Sequence, residues 1–403
     1  MTVQVLYLPA DNPINRLPEV LKQKLVRAQA NAVGKEFTSA GALAERVLHD
    51  TRINANLPPV LYQQNVRYLS DQKLKDLVQF FGDLLRAQGV AAQAVHHNAA
   101  NLAERVQLVT AFDEPDIIIE DVRRKVEEIV MGFPKTAADI QCGKNPGDVL
   151  DPYILAATQN LLFGGDFEPA IEATVAHKAL MMIEGLMGHL HEDVIGAMRG
   201  NVRVPEPRGT DQETLDPLTN PFPGADVVQP PKADGEGMSF HQLKSKTGSA
   251  KGGDGRRLGE QLKRLQNLYG GQIFYHALIG NTLRGHRSRA GVEKAAAGVV
   301  VLVGEASFEE LTGSRVGPQL LLRLYQSAFT EVAEQTGYRV DTMAAGIVAT
   351  FKERAERDGE GFLEVILQDA TAGPKEQQDN RVYASSGRGR TKIGDVPIVI
   401  DKD

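Results

Sequence analysis

Two short strand-like segments near the middle of the chain constrain its fold more than any other feature. The first is Gly224 to Gln229, G-A-D-V-V-Q, and the second is Ser239 to Ser245, S-F-H-Q-L-K-S. Alternate side chains of a strand point to the same face, so Gln242 and Lys244 share a face. A hairpin between the two segments would bring Asp226 beside them. The sequence therefore predicts a carboxylate, an amide and an amine at one sheet edge.

This set of side chains suits metal-assisted hydrolysis of a phosphodiester. Mg²⁺ prefers oxygen ligands, and Asp226 would be the main ligand, with the side-chain carbonyl of Gln242 as a weaker one. Lys244 would orient the attacking water or help to deprotonate it, as a lysine desolvated near a metal ion can. A divalent ion held in this way neutralises charge at the scissile phosphate. The expected cofactor is Mg²⁺ or Mn²⁺.

The pattern of Asp226, Gln242 and Lys244 resembles the PD-(D/E)xK nuclease superfamily, which includes many restriction endonucleases. The resemblance covers Asp166 to Val303. It implies a restriction endonuclease-like core, in which a mixed central β-sheet is flanked by helices. Two positions depart from the family pattern. Ala225 precedes the aspartate where the family has proline, and Gln242 replaces the middle acid.

The missing acid implies a compensating carboxylate, for which there are two candidates. Glu184 lies in the apolar segment M-M-I-E-G-L-M-G of a predicted helix before the sheet, where many family members place an auxiliary glutamate. Glu260 follows Lys244 on the next predicted helix, where one branch of the restriction enzymes carries its second acid. We favour Glu184 slightly as a metal ligand, because an unpaired glutamate in an apolar segment is costly to bury. The alternative for each is an exposed glutamate in an ion pair with a nearby basic residue.

Charge is distributed unevenly along the chain. The formal net charge is −7 at pH 7, yet His241 to Lys294 holds eleven Lys and Arg against three acids, a net +8. A basic segment on an acidic body is typical of a localised phosphate-binding face, although a solvated surface would have the same composition. The candidate DNA-contacting residues are Lys246, Lys251, Arg256, Arg257, Arg284, Arg287 and Arg289.

The first 150 residues are predicted to be mainly helical and to form a domain for DNA recognition or oligomerisation. Ser70 is the expected N-cap of a helix over residues 71–88, and Pro115 suits the first turn of another helix. Residues 132–152, which are rich in proline and glycine, are predicted to be a linker. Residues 151–403 are predicted to form the nuclease-like domain.

The second half of the chain alternates helical and strand-like patterns, which predicts an α/β (α+β) fold with a mixed sheet. The expected helices are Glu168 to Arg199, Arg256 to Tyr269 and Val316 to Gln335. The expected additional strands are Val202 to Val204, a doubly buried G-V-V-V-L-V-G at Gly298 to Gly304, Phe362 to Gln368 and a short one at Pro397 to Ile400.

Composition excludes several classes of protein. Cys142 is the only cysteine, so a disulfide within the chain and a cysteine-based zinc site are excluded. No window has eighteen consecutive apolar residues, which argues against a membrane span, and the N-terminus does not have the pattern of a secretory signal. A cytoplasmic protein without a membrane partner is expected.

The expected function is metal-dependent cleavage of double-stranded DNA by a type II-like restriction endonuclease. A homodimer, or a higher homo-oligomer, would place two sites on the two strands of a palindrome, and a cognate methyltransferase or another defence partner would accompany it. One alternative is a less specific defence effector nuclease controlled by a partner or by oligomerisation. Another is an inactive nuclease-like DNA-binding protein, because of Gln242. The least favoured is a metalloenzyme built on His177, Glu184, His189, His191 and Glu192.

Overall fold

A mainly helical N-terminal region is followed by a five-stranded mixed sheet interleaved with helices, which is an α/β-type fold. The computed structural model describes residues 16–141, 150–204, 215–216, 218–232, 237–246, 254–283, 288–314, 316–337, 339–359 and 361–371. In this described part of the chain, no helix is both long enough and apolar enough to cross a bilayer.

Ten helices precede or adjoin the first strand in the described residues. Side chains cap some of their starts: the Ser39 hydroxyl accepts a hydrogen bond from the backbone N–H of Ala42 at 3.2 Å, and Asp166 caps the longest helix. The helices are α1 (Glu19–Ala30), α2 (Val33–Glu36), α3 (Ala40–Thr51), α4 (Arg67–Ser70), α5 (Leu74–Ala87), α6 (Ala92–Ala111), α7 (Pro115–Val130), α8 (Gly132–Gln141), α9 (Pro152–Leu162) and α10 (Phe167–Gly196).

The sheet has the strand order β1-β2-β3-β4-β5. The first three strands pair antiparallel, whereas β3, β4 and β5 are parallel. The carboxyl ends of β3, β4 and β5 therefore meet at one edge of the sheet. The strands are β1 (Val202–Arg203), β2 (Val227–Gln229), β3 (Ser239–Lys246), β4 (Gln272–Ile279) and β5 (Val300–Val303).

Helices cross between the parallel strands and then continue to the end of the described chain. Helix α11 connects β3 to β4, and α12 connects β4 to β5, as parallel strands require a crossover. The helices are α11 (Asp254–Tyr269), α12 (Arg289–Ala295), α13 (Glu305–Thr312), α14 (Gly317–Thr336), α15 (Val340–Asp358) and α16 (Phe362–Thr371).

The two faces of the sheet are covered by different helices. On one face, Leu243 packs in a core with Leu190 of α10 and Leu324 of α14. On the other face, Phe240 packs with Leu262 of α11 and with residues of α1. Strand β3 is buried from residue 239 to 243 and becomes half-exposed from residue 244 onward. Its carboxyl end is thus the solvent-accessible part of the strand.

One hydrophobic core extends across residue 150. It combines Phe112 and Val126 from the N-terminal region with Leu190 and Leu324 from the region that surrounds the sheet. The division into functional domains at residue 150 stays a prediction, but the two parts share buried apolar surface.

Three helical predictions from the sequence are corrected. Residues 132–141 of the expected linker form helix α8, because Phe133, Ala137 and Ile140 are buried at helical spacing. The helix expected over residues 71–88 begins at Leu74 without a side-chain cap, since Ser70 belongs to α4. The segment Phe362–Thr371 is a helix rather than a strand, with its consecutive residues 365 and 366 both buried.

One strand prediction is corrected, and one strand was not predicted. The apolar run at residues 298–304 is not buried on both faces, because β5 lies at the sheet edge, where Val300 is 40% exposed. Strand β4, Q-I-F-Y-H-A-L-I, was not predicted, although its aromatic and β-branched content is typical of strands. The predicted strand at residues 397–400 lies outside the described residues.

Candidate active site

Asp226 is held where β2 begins beside β3. Its backbone N–H donates to the carbonyl of His241 at 2.8 Å. Its Oδ2 accepts from the backbone N–H of Leu243 at 2.7 Å and from Nε2 of Gln242 at 2.5 Å. The antiparallel register, with Val227 opposite His241, produces this geometry. The structure thus brings Asp226 and Gln242 into direct contact.

Lys244 lies on the same face of β3 as Gln242, two residues further along, and is half-buried. Its positive charge acts on Asp226 and Glu192, and for both carboxyl groups it opposes the rise in pKa that burial causes. The three residues singled out by their spacing therefore share one local electrostatic environment at the accessible end of β3.

Glu192, near the end of α10, interacts electrostatically with both Asp226 and Lys244. The side chain is half-buried. Burial raises the pKa of Glu192 well above its ordinary range, and the neighbouring charge of Asp226 raises it further, while Arg203 and Lys244 oppose the shift. Burial also raises the pKa of Asp226, against the N–H of Leu243 and the charge of Arg203. Two carboxyl groups with raised pKa values beside a lysine are typical of functional sites.

Arg203 of β1 links the helix to the strands. Its Nη2 lies 2.5 Å from Oε2 of Glu192, and its Nε lies 3.0 Å from Oδ1 of Asp193. Its Nη1 donates to the backbone carbonyl of Asp226 at 2.9 Å. Burial acts to lower the pKa of Arg203, but Glu192 and Asp226 outweigh it and raise the pKa, so the guanidinium stays charged. Arg203 therefore holds Glu192 next to the backbone of Asp226.

A glycine allows this contact between helix and strand. A Cβ on Gly196 of α10 would lie 2.7 Å from the Cβ of Arg203, closer than real side chains approach. Without a side chain at this position, α10 packs directly on β1. The close approach positions Glu192 at the sheet edge.

The side chains at this site could supply only a few oxygen ligands to a magnesium ion. Mg²⁺ is commonly held by one or two carboxylates, with water and substrate phosphate completing its octahedron, and Asp226 and Glu192 supply two carboxylates. In the described residues, no group of three or more His, Cys, Asp or Glu is arranged to hold a metal ion. Gln242 turns its amide nitrogen toward Asp226, so its carbonyl oxygen would join the donor set only after a flip of the amide.

The two candidate auxiliary acids lie elsewhere. Glu184 is exposed and forms an ion pair with Lys246 at 2.8 Å, which lowers the pKa of this glutamate. It lies eight residues before Glu192 on α10, about 12 Å along the helix axis. Glu260 is exposed on α11 and pairs with Arg256 at 2.8 Å. The structure brings neither side chain into hydrogen-bonding contact with Asp226.

The described basic candidates are paired with acids at the carboxyl edge of the parallel strands. Lys246 pairs with Glu184, Arg256 with Glu260, Arg257 with Asp254 at 3.8 Å, and Arg289 with Glu293 at 2.7 Å. Lys251, Arg284 and Arg287 lie outside the described residues.

The first turns of α11 and α12 are in close contact at this edge. A Cβ on Gly255 would lie 2.4 Å from the carbonyl oxygen of Ser288, so the two helices approach with almost no side chain between them. Arg256 and Arg289, which adjoin these two residues, are therefore brought close together.

Sequence reasoning placed Glu192 only in the least favoured metalloenzyme. His189 Nδ1 does lie 3.9 Å from Oε2 of Glu192, whereas His191 is buried and its Nδ1 lies 3.2 Å from the hydroxyl of Tyr325. The two histidines diverge, as their spacing on a helix requires. A usable signal for Glu192 was its place at the end of a long helix, ten residues before the strand that carries Val202.

No protein-family model matches the chain, and no curated protein matches it. The functional assignment therefore depends on the side chains at the end of β3 and on their electrostatics.

Proposed function

We propose that this protein is a metal-dependent endonuclease that hydrolyses phosphodiester bonds in double-stranded DNA. The observation that supports this most is the pair of carboxyl groups with raised pKa values, Asp226 and Glu192, beside Lys244 at the accessible end of β3. The basic side chains of α11 and α12 at the same edge provide contacts for the phosphate backbone.

In this proposal, Asp226 and Glu192 would hold Mg²⁺ or Mn²⁺, with Gln242 as an additional ligand. When bound, such an ion would neutralise charge on the scissile phosphate and lower the pKa of a coordinated water. Lys244 orients the attacking water and stabilises negative charge on the phosphate. Arg203 keeps Glu192 in place, because its guanidinium contacts Glu192 and the Asp226 backbone together.

The biological assignment that we propose is a type II-like restriction endonuclease, active in the cytoplasm as a homodimer. Each protomer would cut one strand, and a cognate methyltransferase would protect host DNA. A less specific defence effector nuclease is the alternative, because the N-terminal helices share a core with the sheet and a partner bound there would contact helices of that core.

A second candidate is a nuclease-like DNA-binding protein without activity. The hydrogen bond from Gln242 to Asp226 favours this candidate. The amide donates to the carboxylate and so stabilises it without a metal ion. Binding of DNA that is unaffected by Mg²⁺, with no cleavage in Mg²⁺ or Mn²⁺, would favour this candidate.

The deciding experiment incubates the full chain with a mixture of duplex DNAs, with Mg²⁺ or with chelator. Wild type, Lys244→Ala and Lys22→Ala are compared, the last as a matched control because Lys22 is on α1 and pairs with Glu19. We expect cleavage by wild type and Lys22→Ala only, and only with Mg²⁺. Discrete fragments indicate a restriction enzyme and a smear indicates the effector. Cleavage by Lys244→Ala at the wild-type rate would contradict the assigned site.

A further inference from the structure

A cavity of about 540 Å³ lies between the N-terminal helices and the far end of β2. Its volume is within the range of sites for small organic molecules. Residues of α1, α2 and α13 form its walls together with Gln229, which is the last residue of β2. Asp226 precedes the first residue of the same strand, so this cavity is distinct from the candidate active site.

Three buried side chains that line the cavity each have a polar atom without a hydrogen-bond partner: Oγ1 of Thr110, Nη2 of Arg199 and Oε1 of Gln229. Each of these residues is less than 9% exposed. Buried polar groups are normally satisfied, so three such atoms around one cavity indicate that something polar belongs there. In this structure the three atoms themselves have almost no exposed area, so a ligand would reach them only by displacing the neighbouring atoms that cover them.

The remaining polar atoms of these side chains hold them in position. Arg199 donates from Nε to the carbonyl of Val109 at 2.8 Å and from Nη1 to the carbonyl of Asn31 at 3.1 Å. Gln229 donates from Nε2 to Oδ1 of Asn201 at 2.8 Å, which leaves its Oε1 as an acceptor. The wall therefore combines a fixed donor, a fixed acceptor and the hydroxyl of Thr110, which serves as either.

The charge and polarity of the cavity wall indicate which kind of molecule it could bind. Arg199 already pairs with Glu36 and lies 3.7 Å from Asp113, so its charge is compensated and the cavity does not demand an anion. The remaining lining is largely apolar and includes Val33, Phe37, Val66, Pro231 and Leu311. A flat, mostly apolar ring with a donor and an acceptor on one edge fits this wall. Nucleobases have this pattern, and Arg and Gln are the side chains that read base edges in DNA.

We propose that this cavity binds the base of a nucleoside or nucleotide. The exposed Lys35 and Arg67 line the cavity as well, so a 5′-phosphate would find cations near the base. Lys232 also lines the cavity, but it pairs with Glu310 at 2.9 Å. The proposal is independent of the endonuclease, because none of the residues that it uses belongs to the candidate active site.

The test is isothermal titration calorimetry of the full chain with adenosine, guanosine, cytidine and thymidine and with their 5′-monophosphates. Thr110→Val removes the hydroxyl at nearly constant volume, whereas Thr110→Ser keeps it. Thr350→Val is the matched control, because its hydroxyl donates to the carbonyl of Gly346 within α15. We expect saturable binding of at least one compound, weakened about tenfold by Thr110→Val and by less than about twofold in the other two variants.

A tighter monophosphate would identify a nucleotide as the natural ligand, and equal binding would identify the nucleoside. Saturation by none of the eight compounds at about 1 mM, or unchanged affinity in Thr110→Val, would overturn the proposal. If Thr110→Val does not fold, Gly34→Leu replaces it, because Gly34 lines the cavity and has no atom within 4 Å of its ideal Cβ position. Unchanged affinity in that variant would count equally against the proposal.

Discussion

Glu192 and Asp226 are carboxyl groups that retain protons at higher pH than free carboxylic acids do. Their pKa values are raised mainly by burial, and the charge of Asp226 adds to the effect on Glu192. A divalent ion and a proton compete for such groups, because both relieve the same unfavourable negative charge. The stability of the protein should therefore depend on pH and on metal ions together.

Above about pH 4.5 the unfolded chain loses the protons of these carboxyl groups, whereas the folded protein retains them. The folded state thus binds more protons, and stability falls as pH rises through the folded pKa values. Because of this pair, we expect the free energy of unfolding to fall on the order of 1–3 kcal/mol between pH 5 and pH 8. The fall should be smaller in Glu192→Gln. Mg²⁺ should restore more stability at pH 8 than at pH 5.

Urea unfolding of wild type and Glu192→Gln across this pH range, with and without Mg²⁺, checks the prediction. Identical pH dependence in the two proteins would contradict a raised pKa of Glu192. An equal effect of Mg²⁺ at both pH values would contradict the competition between metal and proton.

Arg203 is expected to act as a positioning residue. Removing the guanidinium in Arg203→Ala leaves Glu192 without its cation, so the pKa of this carboxyl should rise further. The free energy of unfolding should fall by about 3–5 kcal/mol. The pH profile of DNA cleavage should then shift to higher pH, with partial recovery in Arg203→Lys. Arg123→Ala, which removes a surface arginine paired with Glu120, is the control. A lower rate with an unshifted profile would indicate a structural role alone.

Helix α10 contributes to the site through its contact with β1 as well as through Glu192. Gly196→Ala would put a Cβ 2.7 Å from the Cβ of Arg203 and displace the helix. We expect the free energy of unfolding to fall by about 1–3 kcal/mol. Gly185→Ala, on the same helix with no atom within 4 Å of the new Cβ, should be neutral or stabilise by up to about 1 kcal/mol. Urea unfolding and DNA cleavage are measured for both. Equal stability of the two variants would show that the close contact is not required.

The sequence did not distinguish helix from strand where the spacing of apolar residues suits both. Phe362 to Gln368 has five apolar residues, at 362, 363, 365, 366 and 367, which suits a strand as readily as a helix. Its helix is stabilised by burial of Val365 and Ile366 against α15 and α9, a contact that no local pattern reveals. By contrast, α10 was predicted within a few residues, because thirty residues rich in apolar side chains begin at a strong cap, Asp166.

At the scale of the molecule, the shared core predicts that residues 151–403 do not fold alone. Removal of the first 150 residues would expose Leu190 and Leu324, which pack with Phe112 and Val126. We expect the truncated chain to lack a cooperative unfolding transition in circular dichroism, whereas the full chain unfolds cooperatively. A sharp transition with native-like helix content in the truncated chain would instead establish residues 151–403 as an independent domain.

The sequence by itself determined the local part of the candidate site. The positions of Asp226, Gln242 and Lys244 on two strands follow from strand periodicity, and the structure brings them together as the spacing predicts. Helix α11 follows in the same way from its apolar stripe, and the long helix α10 follows from its apolar content and its cap. These features depend on neighbours within a few residues.

Only the tertiary structure determined which of two glutamates on α10 interacts electrostatically with Asp226 and Lys244. Glu184 and Glu192 are on the same helix, and the sequence favoured Glu184 for its apolar surroundings. The contact of Gly196 with Arg203 positions α10 on the sheet so that Glu192 is close to Asp226 while Glu184 pairs with Lys246 in solvent. The physical reason is that burial, and hence the raised pKa, arises from packing between elements far apart in the chain.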